Sequence, residues 1–270
     1  MPQITVHGLD VYYRDDGSGI PIVLDHSSTG SGGQWRALST QMADQYRLVA
    51  PDHIGYGRTA AFAGQMPLIG HEIAIVEALL EELAQPVHLV GHSYGGAILA
   101  RTAVRVPEKV RSLTLYEPTL FHLLAAAGKM AEHDEIKSVA DRVIHYVRAN
   151  NAEEAARGFI GYWVSPGAYE AMDERLRHSV KAGMLKLQLE WQLAFDPFGA
   201  TVEALSGLRM PVQLLAGSRT TSAARAVIDI LRHIWPKAAY AEIDGAGHMG
   251  PVTHPAAVNE IIANFVARSV

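Results

Sequence analysis

The sequence predicts an α/β fold: a mostly parallel, doubly wound sheet with helices on both faces and a helical insertion. Three observations carry this. Short apolar runs alternate with helix-period segments along most of the chain. A length of 270 residues suits one α/β core with an inserted segment. Residues 121–198 show helical periodicity only, with no strand of the α/β kind.

Taken in order, residues 4–13 alternate as a strand, and Asp15-Asp16-Gly17-Ser18-Gly19 signals a turn. Pro21-Ile22-Val23-Leu24 reads as a buried parallel strand. A Gly/Ser-rich loop and a helical pattern over 35–42 follow, then a strand over 47–50 ended by Pro51. Residues 66–83 form an amphipathic pattern, with Ile69, Ile73, Val76, Leu79, Leu80 and Leu83 on one stripe. Strands over 87–90 and 110–116 flank a small-residue helix over 94–105. After the all-helical stretch the alternation returns: strand 212–216, helix 223–235, strand 239–243, helix 256–267. The expected organisation is a core over 1–119 and 199–270, with a helical cap over 120–198 inserted after the strand that ends at Glu117.

Composition narrows the function classes. Hydrophobic residues are 49% and charged residues 19%, enough apolar material for a large core. The net charge is −5 and no block of Lys or Arg occurs, which argues against nucleic acid and anionic membrane as partners. The chain has no cysteine, so disulfides, thiolate nucleophiles and Cys-ligated metal sites are excluded. No secretory signal and no run of 18 apolar residues is visible, so a soluble cytoplasmic protein is expected.

Gly91-His92-Ser93-Tyr94-Gly95-Gly96 carries the strongest chemical signal. It fits G-x-S-x-G between an expected strand and an expected helix, which marks Ser93 as a candidate nucleophile. The chain must turn sharply there, and glycines on both sides remove Cβ atoms that would clash. Other motifs fail. Gly30-Ser31-Gly32-Gly33 lacks the third glycine of a dinucleotide fingerprint because Trp35 stands in its place, and no Walker lysine exists. His71-Glu72 starts a zinc-protease motif that Ile75 breaks.

At these residues the sequence resembles the α/β-hydrolase fold family, over nearly its whole length. Leu24-Asp25-His26-Ser27 is similar to that family's apolar strand ending in His-Gly, with Ser27 where glycine is usual. Pro51-Asp52-His53-Ile54-Gly55-Tyr56-Gly57-Arg58-Thr59 resembles its D-x-x-G-x-G-x-S/T loop. Gly245-Ala246-Gly247-His248-Met249 resembles the loop bearing its catalytic histidine.

A serine hydroxyl needs a base, and His248, in a Gly-rich loop after the last strand, is the candidate. The family's common acid follows the strand at 212–216, but Gly217-Ser218-Arg219-Thr220 holds no carboxylate, nor does the chain up to Ala226. Some members take the acid from the preceding strand, which here ends at Glu117, on the sheet edge where ligands bind. Glu117 is therefore the expected acid. Asp244 is a rival by nearness to His248, and Asp52 reads as a loop-organising residue.

The backbone N–H of Tyr94 should hold the oxyanion, and the resemblance implies Ser28 N–H as the second donor. Trp163 and Trp191, in the cap, could line an acyl pocket. The resemblance implies a serine hydrolase of small or medium carboxylic esters, with a small-molecule acyl substrate and no cofactor. A serine nucleophile argues against the fold's dehalogenases and epoxide hydrolases. A carbon–carbon hydrolase, lactonase, acyltransferase or perhydrolase would use the same residues, and a non-catalytic ligand receptor is the reading from another class. The sequence leaves homo-oligomerisation open.

Overall fold

A computed structural model of the chain describes residues 2–61 and 68–269. The chain begins with a hairpin, β1 (Gln3–Val6) and β2 (Leu9–Gly17), paired antiparallel. Its two-residue turn is His7-Gly8, at φ 50° and 78°. The single strand expected over 4–13 is thus split, because His-Gly accepts the left-handed backbone of a tight hairpin. β2 also runs on through Asp15 and Asp16, which the sequence assigned to a turn. Pairing with the strand at Tyr46–Pro51 keeps them extended, and Arg47 clamps Asp15 at 2.7 and 2.9 Å.

The core continues with β3 (Ile20–Asp25), α1 (Arg36–Met42), β4 (Tyr46–Pro51), α2 (Leu68–Leu83), β5 (Val87–His92), α3 (Tyr94–Arg105) and β6 (Val110–Tyr116). Two residues of the helix expected from 66, namely 66 and 67, lie outside the described residues. Five helices then follow without a strand: α4 (His122–Ala126), α5 (Met130–Arg148), α6 (Ala152–Trp163), α7 (Ala168–Ala171) and α8 (Glu174–Ala194). The chain closes with α9 (Val202–Ser206), β7 (Val212–Gly217), α10 (Ser222–Ile234), β8 (Ala239–Ile243), α11 (Gly250–Thr253) and α12 (Pro255–Arg268).

The sheet order is β1-β2-β4-β3-β5-β6-β7-β8. From β4 to β8 every neighbour is parallel; β1/β2 and β2/β4 are antiparallel. Side chains alternate across the pleat and feed two cores. Val23, Leu89 and Leu214 face a core built with α2, α3, α10 and the inserted helices; Ile22, Leu24, Val90 and Leu215 face one built with α1 and α12. The α2 stripe from Ile69 to Leu83 is buried in the first core. Each such side chain contributes about 1.5–3 kcal/mol when buried, so this face more than propensity holds α2 in place.

Chain direction across the sheet fixes where a site can form. From β3 the chain moves outward to β4, then returns across β3 to β5. The connections leaving β3 and β5 therefore diverge, and a crevice opens above their carboxyl ends. Ser28 follows β3 and Ser93 follows β5.

Close packing at this edge demands Gly95. A Cβ there would meet the Asp25 carbonyl carbon and the His26 carbonyl oxygen at 2.6 Å, both main-chain atoms that cannot step aside. Gly95→Ala is expected to cost about 1–3 kcal/mol or more in urea unfolding. Gly158→Ala, on α6 with nothing within 4 Å, should instead gain about 0.5–1 kcal/mol.

Candidate active site

β5 turns into α3 at Ser93, whose backbone sits at φ 55° and ψ −118°. That conformation costs on the order of 1–3 kcal/mol for a residue with a Cβ and persists only when its surroundings dictate it. Here they do. Ser93 N donates to Tyr116 O at 3.0 Å, Thr119 N and Ala97 N donate to Ser93 O at 3.2 and 3.0 Å, and Gly95 N donates to His26 O at 3.1 Å. Tyr94 opens α3, so its N–H precedes the first intrahelical hydrogen bond and is free for another acceptor.

The hydroxyl so raised lies 2.9 Å from His248 Nε2, and His248 Nδ1 lies 2.7 Å from Glu117 Oε2. Ser93, His248 and Glu117 are 5%, 3% and 1% exposed, so little water competes for these contacts. A carboxylate only accepts, which places the ring proton on Nδ1 and leaves Nε2 to accept from the serine. Trp163 stacks on the ring at 3.9 Å between centroids.

Glu117 has a backbone φ of 42°, and its carboxylate is held from a second side. Gly217 N donates to Oε1 at 2.8 Å and Thr220 Oγ1 donates to Oε2 at 2.7 Å. The donors are the last residue of β7 and a residue of the loop that follows, the stretch that lacks a carboxylate. The histidine loop packs hard against it: a Cβ on Gly217 would meet Ala246 O at 2.2 Å, and Arg219 N donates to Ala246 O at 2.8 Å. Tyr116 Oη donates to Gly247 O at 2.8 Å from below. Asp244 is exposed and accepts from Ser218 Oγ at 3.3 Å, away from the imidazole.

A second set of hydrogen bonds joins the β3 loop to the histidine loop. Ser27 N and Ser27 Oγ both donate to Gln34 Oε1, at 3.1 and 3.0 Å. Gln34 Nε2 faces His92 Nδ1 at 3.2 Å, and His92 Nε2 donates to His248 O at 2.8 Å. Burial holds the His92 pKa well below its ordinary value, so the ring is a neutral bridge with one donor and one acceptor. The serine standing where glycine is usual thus has work of its own: its hydroxyl fixes Gln34.

Ser28, Ser93 and Tyr94 share a pocket with Phe121, Trp163 and Trp191. Phe121, Trp163 and Trp191 stack nearly parallel, with centroids 6.0–6.4 Å apart and interplanar angles of 12–20°. Asp52 organises its loop as the sequence suggested, accepting from Gly32 N and Arg58 N at 2.8 Å each. Among the described residues no group of three or more His, Asp or Glu is arranged to hold a metal ion, and no helix is long and apolar enough to cross a membrane.

Sequence reasoning missed a buried charge chain between the core and α8. Asp25 Oδ1 lies 3.1 Å from His53 Nε2, and His53 Nδ1 lies 3.2 Å from Glu72 Oε2. Glu72 Oε1 lies 2.8 Å from Lys186 Nζ, which is 3.1 Å from Glu190 Oε1; Ser28 Oγ donates to Glu190 Oε2. A signal was available. Gly183, Met184, Leu187, Trp191 and Ala194 form a helical stripe that is buried, and Glu190 falls on it.

Burial opposes a charge on His53, but the Asp25 and Glu72 carboxylates outweigh it and raise its pKa. Burial pushes Asp25 up to about 7 against the pull of His53. Glu72 goes the other way: burial would raise it, yet Lys186 and then His53 pull it down to about 2.

A strained serine between a strand and a helix, above a mostly parallel sheet and facing an imidazole from the last loop, defines the α/β hydrolases. The chain belongs to the alpha/beta hydrolase family, whose model matches residues 22–261. Among curated relatives, the pimeloyl-[acyl-carrier protein] methyl ester esterase of Aeromonas salmonicida is 25% identical, covering 93% of this chain and 96% of that protein. The 2-hydroxymuconate semialdehyde hydrolase of a Pseudomonas species is 33% identical over 121 residues, 42% of this chain and 41% of that protein. A solved hydrolase from Pseudomonas aeruginosa PA01 shares the fold with a TM-score of 0.77 at 20% identity, over 98% of this chain and 97% of that one.

The lowered Glu72 pKa has a pH consequence. A carboxylate with a folded pKa of about 2 and an ordinary value of 4.5 contributes stability that is present above pH 4.5 and lost as pH falls toward 2. In that window it should add up to about 1.4 kcal/mol per pH unit to the slope of unfolding free energy. Denaturant titrations of wild type and Glu72→Gln from pH 5 to 2.5 check this, with the variant's slope the shallower.

Proposed function

We propose that the protein is a serine hydrolase that cleaves carboxylic esters of small or medium size through an acyl-enzyme on Ser93. The observation that carries the reading is the buried chain from Ser93 Oγ through His248 to Glu117, at 2.9 and 2.7 Å. Ser93 Oγ attacks the ester carbonyl while its proton passes to His248 Nε2; Glu117 orients the ring and stabilises the imidazolium. The N–H groups of Tyr94 and Ser28 hold the developing oxyanion. The C–O bond then breaks, and His248 returns the proton to the departing alcohol. Water repeats the sequence: His248 takes its proton, the hydroxide adds to the acyl carbon, and Ser93 leaves with the proton restored.

In this reading residues 120–198 are the cap. Support comes from Trp163 lying over His248 and from Trp191 in the wall of the pocket beside Ser93. A tight aromatic wall favours a small acyl group over a long chain or a polymer. Hydrolysis is also what the names of both curated relatives state of those proteins, and the Aeromonas one names an ester.

A fluorophosphonate probe should label the wild type and leave Ser93→Ala unlabelled; equal labelling of the variant would refute the nucleophile. Glu117→Gln should lower kcat on p-nitrophenyl esters by roughly 10⁴, the scale seen when a serine protease loses its acid. Activity within a few-fold of wild type would move that role to another carboxylate. Faster turnover of a vinylogous diketone than of any ester would replace ester cleavage by carbon–carbon cleavage on the same residues.

A further inference from the structure

The turn after β3 borders the pocket beside Ser93 and holds its main-chain donors unequally. Ser27 N donates to Gln34 Oε1 at 3.1 Å, Gly30 N donates to Ser27 O at 3.1 Å, and the Thr29 N–H interacts with the Tyr56 phenol. Ser28 N has no acceptor among the described residues. That N–H shares a planar peptide unit with Ser27 O, so whatever fixes the oxygen also limits where the N–H can point. His53 N donates to His26 Nε2 at 3.0 Å, which puts the ring proton on Nδ1, and Nδ1 donates to Ser27 O at 2.7 Å. With Gly30 N, two core donors therefore hold one end of the unit.

The other end is held by α8. Ser28 Oγ donates to Glu190 Oε2, and the next residue, Thr29, sits at φ 60°, a left-handed backbone that β-branched side chains rarely adopt. Gly183, two turns before Glu190 on α8, lets this turn come close: a Cβ there would meet Tyr56 Cε1 at 3.0 Å and Thr29 Cγ2 at 3.1 Å. Glu190 is 3% exposed, and a carboxylate so buried is costly unless partners replace its water. Lys186 Nζ at 3.1 Å, the Tyr56 phenol and the Ser28 hydroxyl do so. Attaching α8 to the core does not require Glu190, because Lys186 already reaches Glu72 at 2.8 Å. What Glu190 adds is a grip on Ser28.

We infer that Glu190 is a positioning residue for the oxyanion: by holding the Ser28 hydroxyl it keeps the Ser28 N–H where the developing charge will need it. The inference rests on the ester-hydrolase reading, in which that N–H is a donor, and adds the residue that keeps it in place. Without the grip the Ser28 end of the peptide unit can swing about its fixed Ser27 end, and a displacement of about 1 Å at a reacting centre can cost on the order of 10² in rate.

The test measures kcat and KM for phenyl butyrate, and Ki for propyl trifluoromethyl ketone, on wild type, Ser28→Ala, Glu190→Leu, Glu190→Gln and Ser28→Ala/Glu190→Leu. The ketone mimics the tetrahedral state: Ser93 Oγ bonds its carbonyl carbon, the proton passes to His248 Nε2, and the carbonyl oxygen becomes the oxyanion. Ser28→Ala and Glu190→Leu should each lower kcat by about 30-fold, less than the 10²–10³ of losing a donor outright because the N–H itself remains. KM should stay within about threefold of wild type and the ketone's Ki should rise with the fall in kcat, a pattern that general loosening of the fold does not produce. The double variant should be no slower than the slower single, since both changes break one contact. Glu190→Gln, which keeps an acceptor oxygen for Ser28, should recover most of the rate. The inference is overturned if Ser28→Ala keeps kcat near wild type, if Ki stays constant while kcat falls, if the two single losses multiply, or if Glu190→Gln is as slow as Glu190→Leu. Should Glu190→Leu fail to fold by circular dichroism, Ser28→Ala decides alone through its kcat and Ki. A wild type that neither hydrolyses the ester nor binds the ketone removes the hydrolase reading itself, and the inference with it.

Discussion

The arrangement at the sheet edge depends on how one buried carboxylate is solvated. Glu117 lies almost wholly out of water, and an ionised carboxylate there persists only if protein donors replace the lost hydration. Three groups converge on it: the Gly217 N–H, the Thr220 hydroxyl and His248 Nδ1. Two of these come from the end of β7 and the loop after it, so the segment without a carboxylate supplies donors to one that follows the neighbouring strand. The carboxylate beside the imidazole thus follows β6, and the end of β7 solvates it. With Glu117 fixed, the ring tautomer follows, and with the tautomer the atom that faces Ser93.

The ring is also fixed from the opposite side, through main-chain atoms. His92, next to Ser93, donates to the carbonyl of His248 and is met by Gln34, which is itself held by Ser27. The bridge joins the loops after β3 and β5 to the last loop of the chain. Every member is neutral, since burial depresses the basicity of His92. The bridge can therefore set geometry without placing a second charge beside the imidazolium that a serine mechanism forms.

Much of this was legible in the sequence. Strand and helix alternation, the glycine-bounded Ser93, the late His248 and the missing acid after β7 are local signals, each readable within a few residues. The opening hairpin was not read, because His7-Gly8 interrupts an alternation that otherwise looks continuous. Asp15 and Asp16 were misread as a turn because the partner that keeps them extended, Arg47, is distant in sequence. The charge chain escaped for a related reason. Lys186 and Glu190 stand four apart on a helix, the usual spacing of a solvated ion pair, and only the burial of their neighbours on the stripe marks them as interior.

That chain bears on how the inserted helices hold their position. Apolar contact between α8 and the core is strong but has no preferred direction, so aromatic and aliphatic packing alone would tolerate sliding or rotation. Ions between buried partners behave otherwise. Moving α8 by one turn would take Lys186 from Glu72 and leave buried charges unpaired, at about 3–5 kcal/mol for the broken contact. The pairing thus adds little net stability over an apolar interface but penalises every other register steeply. Trp191 is on α8 itself, and Trp163 ends α6, which packs on it. Fixing one helix by charge therefore fixes both indoles: one over the imidazole, the other in the wall of the pocket beside Ser93.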